Sequence, residues 1–209
     1  MSDPHPLTLA ITAGRRRDVP DLVKACLAQG ETAASIVEHR LVPGMMIVGE
    51  RFKRNELFVP EMLIAARAMK EALKELEPLL IAAGVKPEHT AVIGTVEGDL
   101  HDIGKNLVSM MWRGANIEVI DIGVNVPAAK FVDAVLQHRP ALVGLSSLLT
   151  TTMPAMRRTV QAIRACGVPV KVLVGVAPVT REFAREIGAD GYSIDAASAV
   201  DEAMKVLHA

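Results

Sequence analysis

In the stretch Glu97-Gly-Asp-Leu-His-Asp-Ile-Gly-Lys105, Asp99 stands two residues before His101, and Gly104 follows closely. A neutral imidazole is a good transition-metal ligand, and its second nitrogen usually donates to a carboxylate. Asp99 is placed to be that carboxylate. Gly104 lets a ligand approach the backbone closely. The same spacing also describes a solvated loop histidine beside a helix-capping aspartate. A hydrolytic zinc site needs further His, Cys or carboxylate ligands.

A second stretch, Leu145-Ser-Ser-Leu-Leu-Thr-Thr-Thr-Met-Pro154, holds five hydroxyls in seven residues. Thr152 before Met153-Pro154 suits a helix start. One cap needs one hydroxyl, so the surplus points to a polar ligand surface. A third stretch, Gly175-Val-Ala-Pro-Val-Thr180, is small and apolar. It suits the passage of a flat or elongated ligand, or a tight strand-to-helix turn.

These stretches must be held by regular elements. Short apolar runs at 90–96, 117–122, 141–146 and 168–174 predict strands, with a short fifth at 191–193. Helical patterns fall between and after them, at 104–113, 128–138, 154–166, 181–187 and 197–207. Such alternation predicts an open parallel sheet covered on both faces. Ligands of these sheets bind beyond the carboxyl ends of the strands. The loops to inspect are therefore 97–103, 123–126, 146–153, 175–180 and 193–196.

The earlier part of the chain predicts about four helices. Asp18 caps the first and Gly30 ends it; the second spans 32–40. Pro43-Gly44 breaks the pattern, and a short helix covers 45–54. Pro60 opens the clearest helix, with Met62, Ala65, Ala66, Met69, Leu73 and Leu76 on one face, ending near Pro78. The division expected is 1–83 helical and 89–209 α/β. The connection 82–88, with Gly84 and Pro87, is the candidate hinge.

Composition narrows the partners. Only 3% of the 209 residues are aromatic and the net charge is -1, against both base stacking and a basic nucleic-acid footprint. No apolar run approaches a membrane span, and the first residues lack a secretory pattern. A cytoplasmic protein is expected. Cys26 and Cys166 lie far apart without metal-ligand spacing, which predicts buried thiols.

Asp99-x-His101-x-x-Gly104, Ser146-x-Leu148 and Gly175 together resemble the cobalamin-binding domain of methionine synthase and its relatives. The longer strings Gly-Asp-Leu-His-Asp-Ile-Gly-Lys-Asn and Ser-Leu-Leu-Thr-Thr-Thr-Met-Pro resemble the corrinoid proteins of methanol, methylamine and methoxyaromatic methyltransferase systems. The resemblance covers nearly the whole chain. It implies a helical cap followed by a flavodoxin-like, Rossmann-like five-stranded parallel sheet that binds cobalamin or a related corrinoid.

By position, the resemblance makes His101 the lower axial ligand of cobalt, in place of the cofactor's own base (base-off, His-on). Asp99 bonds His101, and Ser146 extends that relay. Cofactor contacts carry onto Leu100, Asp102, Ile103 and Gly104 beside them. Leu148 and Thr150 line the pocket of the displaced nucleotide tail, and Gly175 and Ala177 let the tail pass. Tyr192 and Ala196 sit where the tail ends. The family pattern reads Gly-Gly where this chain has Gly175-Val176, so Val176 adds bulk on that path. In the cap, Met45, Phe52 and Val59 match apolar residues that shield the methyl group.

The implied function is a corrinoid methyl carrier. Co(I) accepts a methyl group from a substrate:corrinoid methyltransferase, and methyl-Co(III) gives it to a corrinoid:tetrahydrofolate or corrinoid:thiol methyltransferase. A reductive activase is a further implied partner, and the chain is not expected to turn over alone. Two other readings share parts of the pattern: a cobalamin-binding sensor or regulator, and the small subunit of an adenosylcobalamin mutase.

Overall fold

A computed structural model describes residues 4–84, 87–175 and 177–208. The chain divides into two compact units. One holds the residues up to Glu88 with Gly114–Asn116; the other holds His89–Arg113 and the chain from Ile117 onward.

The first unit is helical: α1 (Pro6–Thr12), α2 (Val19–Ala28), α3 (Ala33–Ile36), α4 (Val42–Lys53) and α5 (Val59–Ala82). Its buried residues include Leu7, Ile11, Val23, Ile36, Leu41, Val48, Met62, Met69 and Leu76. Helix α1 was not among the expected four. At seven residues, beside two prolines and the chain start, it shows too few turns for a periodic signal.

Pro43-Gly44 does not break the helix, contrary to expectation. Pro43 has no N–H to give the carbonyl four residues back. The preceding Val37–Leu41 adopts a π turn instead, in which the Val42 N–H reaches the Val37 carbonyl. The Thr8 hydroxyl donates to the Arg40 carbonyl at 2.9 Å. Gly44 is needed for a different reason: a Cβ there would fall 2.9 Å from Ile11.

Two other expected ends shift. Helix α5 runs through Pro78 to Ala82, because one proline forfeits one bond in a long helix whose apolar face is already packed. Asp18 precedes α2 without a side-chain cap bond and lies 3.5 Å from Arg15.

The second unit is a five-stranded parallel sheet of order β2-β1-β3-β4-β5. Its strands are β1 (His89–Thr95), β2 (Ile117–Asp121), β3 (Leu142–Ser146), β4 (Lys171–Gly175) and β5 (Gly191–Ser193). Between and after them come α6 (Ile103–Gly114), α7 (Ala128–His138), α8 (Met153–Ala165), α9 (Arg181–Glu186) and α10 (Ser198–Leu207). Strand β4 begins three residues later than expected, since Pro169 has no N–H for a ladder.

One sheet face packs Phe131, Val135, Met156, Val160 and Ile163 over Val92, Val143 and Val172. The other packs Trp112, Ala203 and Val206 over Ala91, Ile93 and Leu173. The few large rings are seated on glycines. A Cβ at Gly144 would fall 2.7 Å from Trp112, and one at Gly94 would fall 2.7 Å from Phe131. The Trp112 indole N–H donates to the Ala199 carbonyl at 3.0 Å, which satisfies its one polar atom in the core. Cys26 is buried as expected, whereas Cys166 is only partly so.

At the carboxyl edge the register aligns Thr95, Ser146, Gly175 and Ser193 across four strands. This gives a row of small side chains where loops leave the sheet. A Cβ at Gly175 would fall 2.7 Å from the Ser193 carbonyl oxygen. Gly175→Ala is therefore expected to force β4 and β5 apart and to cost about 1–3 kcal/mol. Urea unfolding should show a lower midpoint with an unchanged slope.

Candidate functional site

The loop leaving β1 is held by its backbone before any side chain acts. The Val96 N–H donates to the Ser146 carbonyl, and the Asn125 N–H to the Asp99 carbonyl. Gly98 turns the chain with φ of 83°, a conformation that favours glycine. Its N–H donates to Asn125 Oδ1 at 2.8 Å. The Thr95 hydroxyl, fully buried, donates to the His101 carbonyl at 2.9 Å. Loops from β2 and β3 thus fix the Asp99–His101 segment.

The Asp99 carboxylate is wholly buried. Its Oδ1 takes the His101 N–H at 2.9 Å and faces His101 Nδ1 at 2.7 Å. Its Oδ2 takes the Leu148 N–H at 2.6 Å, with the Thr152 hydroxyl at 3.2 Å. Burial pushes the Asp99 pKa up, but the hydrogen bonds from His101, Leu148 and Thr152 outweigh it and hold the group below the usual carboxylate range. Asp99 is therefore ionised and can only accept. His101 Nδ1 must then carry a proton, which leaves the lone pair of the neutral ring on Nε2. The His101 side chain is 52% exposed, so that lone pair belongs to the ring's open end.

The lowered pKa fixes the sign of a pH effect. Asp99 contributes stability above its ordinary value of 3.8, and that contribution is lost as pH falls through the lower folded value. Thermal melts from neutral pH into acid are expected to lose this increment in the wild type. Asp99→Ala should show a shallower acid slope.

The expected relay through Ser146 is corrected by these contacts. Among the described residues, no hydrogen bond joins the Ser146 side chain to Asp99. Ser146 ends β3 and offers its carbonyl to Val96. The hydroxyl on Asp99 is that of Thr152, with Ser147 Oγ 2.7 Å behind it. Thr152 in turn makes no side-chain cap bond for α8, because its hydroxyl is directed to Asp99, Ser147 and the Leu149 carbonyl. In the sequence Thr152 suits a helix start, and nothing singles out Ser147. The surplus of hydroxyls was the signal that could have found both.

Other candidates fall on the same carboxyl edge. Leu100 and Ile103 are 72% and 71% exposed, and Leu148 and Thr150 also face solvent. Asp102 accepts from Asn106 Nδ2 at 3.0 Å, which steadies the first turn of α6 before Gly104 is passed. Lys105, buried, pairs with Asp121 beneath the loop. Ala177 is exposed, Ala196 is buried, and Tyr192 is half-buried with the Arg181 guanidinium 5.7 Å from its ring centre. Val176 lies outside the described residues. Two exposed side chains that sequence reading did not select, Leu149 and Ile194, stand on the same edge. Large apolar groups left in water on several loops around one histidine mark a binding surface.

Met45, Phe52 and Val59 belong to the helical unit. Met45 is buried, Phe52 and Val59 are half-buried, and Phe58 beside them is exposed. Of the expected hinge, residues 85 and 86 lie outside the described residues. No helix among the described residues is long and apolar enough to cross a membrane.

The donor set fits a corrinoid. The surface offers one imidazole with a free Nε2, a carboxylate on its other nitrogen, exposed aliphatic side chains around it, and a small-residue row behind it. A self-contained zinc centre at this point would need more ligands.

Comparison with known proteins accords with that chemistry. A family model described as a B12 binding domain matches residues 89–202, and a second model of the same description matches residues 5–77. Dimethylamine corrinoid protein 1 of Methanosarcina acetivorans is 40% identical over 184 residues, 86% of each chain. Dimethylamine corrinoid protein 3 of the same organism is 38% identical, covering 97% of this chain and 96% of the relative. A crystal structure titled as a novel cobalamin-binding protein from Desulfitobacterium hafniense superposes with a TM-score of 0.82 at 32% identity, covering 98% of both chains. The methanol:cobalamin methyltransferase complex MtaBC from Methanosarcina barkeri matches with a TM-score of 0.86 at 28% identity, over 97% of this chain and 78% of that one. A chain with this sheet, this histidine and these matches belongs to the corrinoid proteins, the family built on B12 binding domains.

Proposed function

We propose that the chain is a corrinoid methyl carrier serving a methyltransferase system. The observation that carries the reading is the His101 imidazole, held by a buried, ionised Asp99 so that Nε2 is the free ligand atom. A bound corrinoid supplies a cobalt centre that can take up a methyl group and release it to an acceptor. His101 Nε2 holds the cobalt in place of the cofactor's own base, the base-off, His-on mode. Asp99 keeps the ring in the ligating tautomer. Thr152 and Ser147 form a hydroxyl chain that can hold or shift a proton as the charge on His101 changes.

The exposed Leu100, Ile103, Leu148, Leu149 and Ile194 would give a bound corrinoid an apolar seat that excludes water. The small residues Thr95, Ser146, Gly175 and Ser193 would lie beneath the nucleotide tail, with Thr150, Ala177, Tyr192 and Ala196 along its way. In the helical unit, Met45, Phe52 and Val59 are the residues that would shield the methyl group. A separate methyltransferase delivers the methyl group, and the relatives' names support a methylated amine as its source. A second methyltransferase, using tetrahydrofolate or a thiol, receives it, and a reductive activase restores the carrier after oxidation. The setting is the cytoplasm.

The test begins with hydroxocobalamin and the purified full chain. One cofactor should remain per chain after gel filtration, with the visible spectrum of histidine-ligated corrinoid. After reduction, the loaded chain should take up label from methyl iodide and pass it to a thiol in the presence of a corrinoid:thiol methyltransferase. Retention of no cofactor, or of one that never exchanges methyl, overturns the proposal.

A further inference from the structure

In the helical unit, far in sequence from the Asp99–His101 loop, His5, Cys26 and Glu31 bring an imidazole nitrogen, a thiol sulfur and a carboxylate oxygen within 4.8 Å of one another. Cys26 is buried in α2, and His5 and Glu31 are half-buried. His5 Nε2 lies 4.0 Å from Cys26 Sγ. Three separate points of the chain supply these atoms: the residue that caps α1, a residue inside α2, and the residue after the Gly30 turn. That is why Cys26 shows no ligand spacing along the sequence.

We propose that His5, Cys26 and Glu31 bind a single zinc-class divalent cation, which fastens the start of α1 to α2. A nitrogen, a sulfur and an oxygen donor at this separation form a set that zinc accepts, with one coordination position left for water. Arg40 Nε donates to Glu31 Oε2 at 3.0 Å, which orients the carboxylate.

Binding balances simply. The cation takes the place of the Cys26 thiol proton, which leaves to solvent, and the His5 ring proton moves from Nε2 to Nδ1. That shift gives up the 3.2 Å bond from the Leu7 N–H to His5 Nδ1, one weak cap bond against three metal bonds.

The test uses the full chain loaded with its corrinoid, stripped of loose metal by chelator and then titrated with zinc chloride. Elemental analysis after gel filtration should find one zinc per chain beside the cobalt. Cys26→Ala and His5→Ala should retain none, with the visible spectrum of the corrinoid unchanged. Arg40→Gln should weaken zinc binding about 10- to 100-fold. Because Cys26→Ala removes a core atom, cadmium chloride gives a second reading on the wild type. A thiolate-to-cadmium absorption band is expected there, and Glu31→Gln should diminish it. Zinc retention equal in wild type, Cys26→Ala and His5→Ala overturns the proposal, as does a wild type that retains no zinc and shows no cadmium band.

Discussion

His101→Ala is expected to fold, to melt close to the wild type, and to lose the histidine-ligated corrinoid spectrum. The stability part follows from exposure. Half of the ring already faces water, so its removal forfeits the Asp99 contact and little packing, on the order of 1 kcal/mol. The binding part follows from chemistry. His101 Nε2 is the one free imidazole lone pair that the carboxyl-edge loops supply, and Asp99, its neighbour, is already filled by backbone donors. Corrinoid affinity should fall by at least the ~10- to 100-fold seen when only an outer partner of a ligand is lost. Adding free imidazole to the variant should bring the ligated spectrum back, because the small molecule can enter the space the ring leaves. An unchanged spectrum in His101→Ala would remove the ligand assignment altogether. A misfolded variant is recognised separately by its melting curve.

How far the sequence alone reaches can be judged from particular residues. The alternation of strands and helices after residue 88 is a long-range pattern, and it was legible because a buried parallel sheet needs continuous apolar runs. The Asp99–His101 pair was legible because the imidazole and carboxylate are two residues apart, so local geometry alone brings them together. Thr152 and Ser147 were not: they reach Asp99 across strands, and a hydroxyl that bonds a carboxylate looks in sequence like one that caps a helix. Ser146, at the strand end, carried the resemblance but makes no side-chain bond to Asp99 among the described residues. The π turn before Pro43 was hidden for a related reason. Thr8 satisfies the Arg40 carbonyl from another helix, and no local rule announces a distant donor. Aromatic scarcity, which excluded base stacking, becomes a packing fact: Trp112 and Phe131 fill the two sheet faces because Gly144 and Gly94 make room.

Asp99 is expected to be the more damaging position for the fold, and its two simplest replacements should part company. Asp99→Ala orphans the Leu148 N–H and the His101 N–H at once, while Thr152 can turn to the Leu149 carbonyl at 2.9 Å. Each unsatisfied donor costs about 1–3 kcal/mol, so a loss of about 2–6 kcal/mol is expected, a large part of the ~5–15 kcal/mol that holds a typical domain. Asp99→Asn keeps the shape and loses less, but its amide can accept on only one side. With its oxygen toward His101, the ligating tautomer survives and the Leu148 N–H faces a donor. With its nitrogen toward His101, Nδ1 must accept, the proton moves to Nε2, and the ligand atom is lost. The loaded Asn variant should therefore show a mixture of ligated and unligated spectra, with affinity down about 10- to 100-fold. The Ala variant should unfold at much lower urea. If instead both variants bind corrinoid as the wild type does, Asp99 is only a loop staple. If Asn alone restores the full spectrum and affinity, the charge on Asp99 plays no part in holding the histidine.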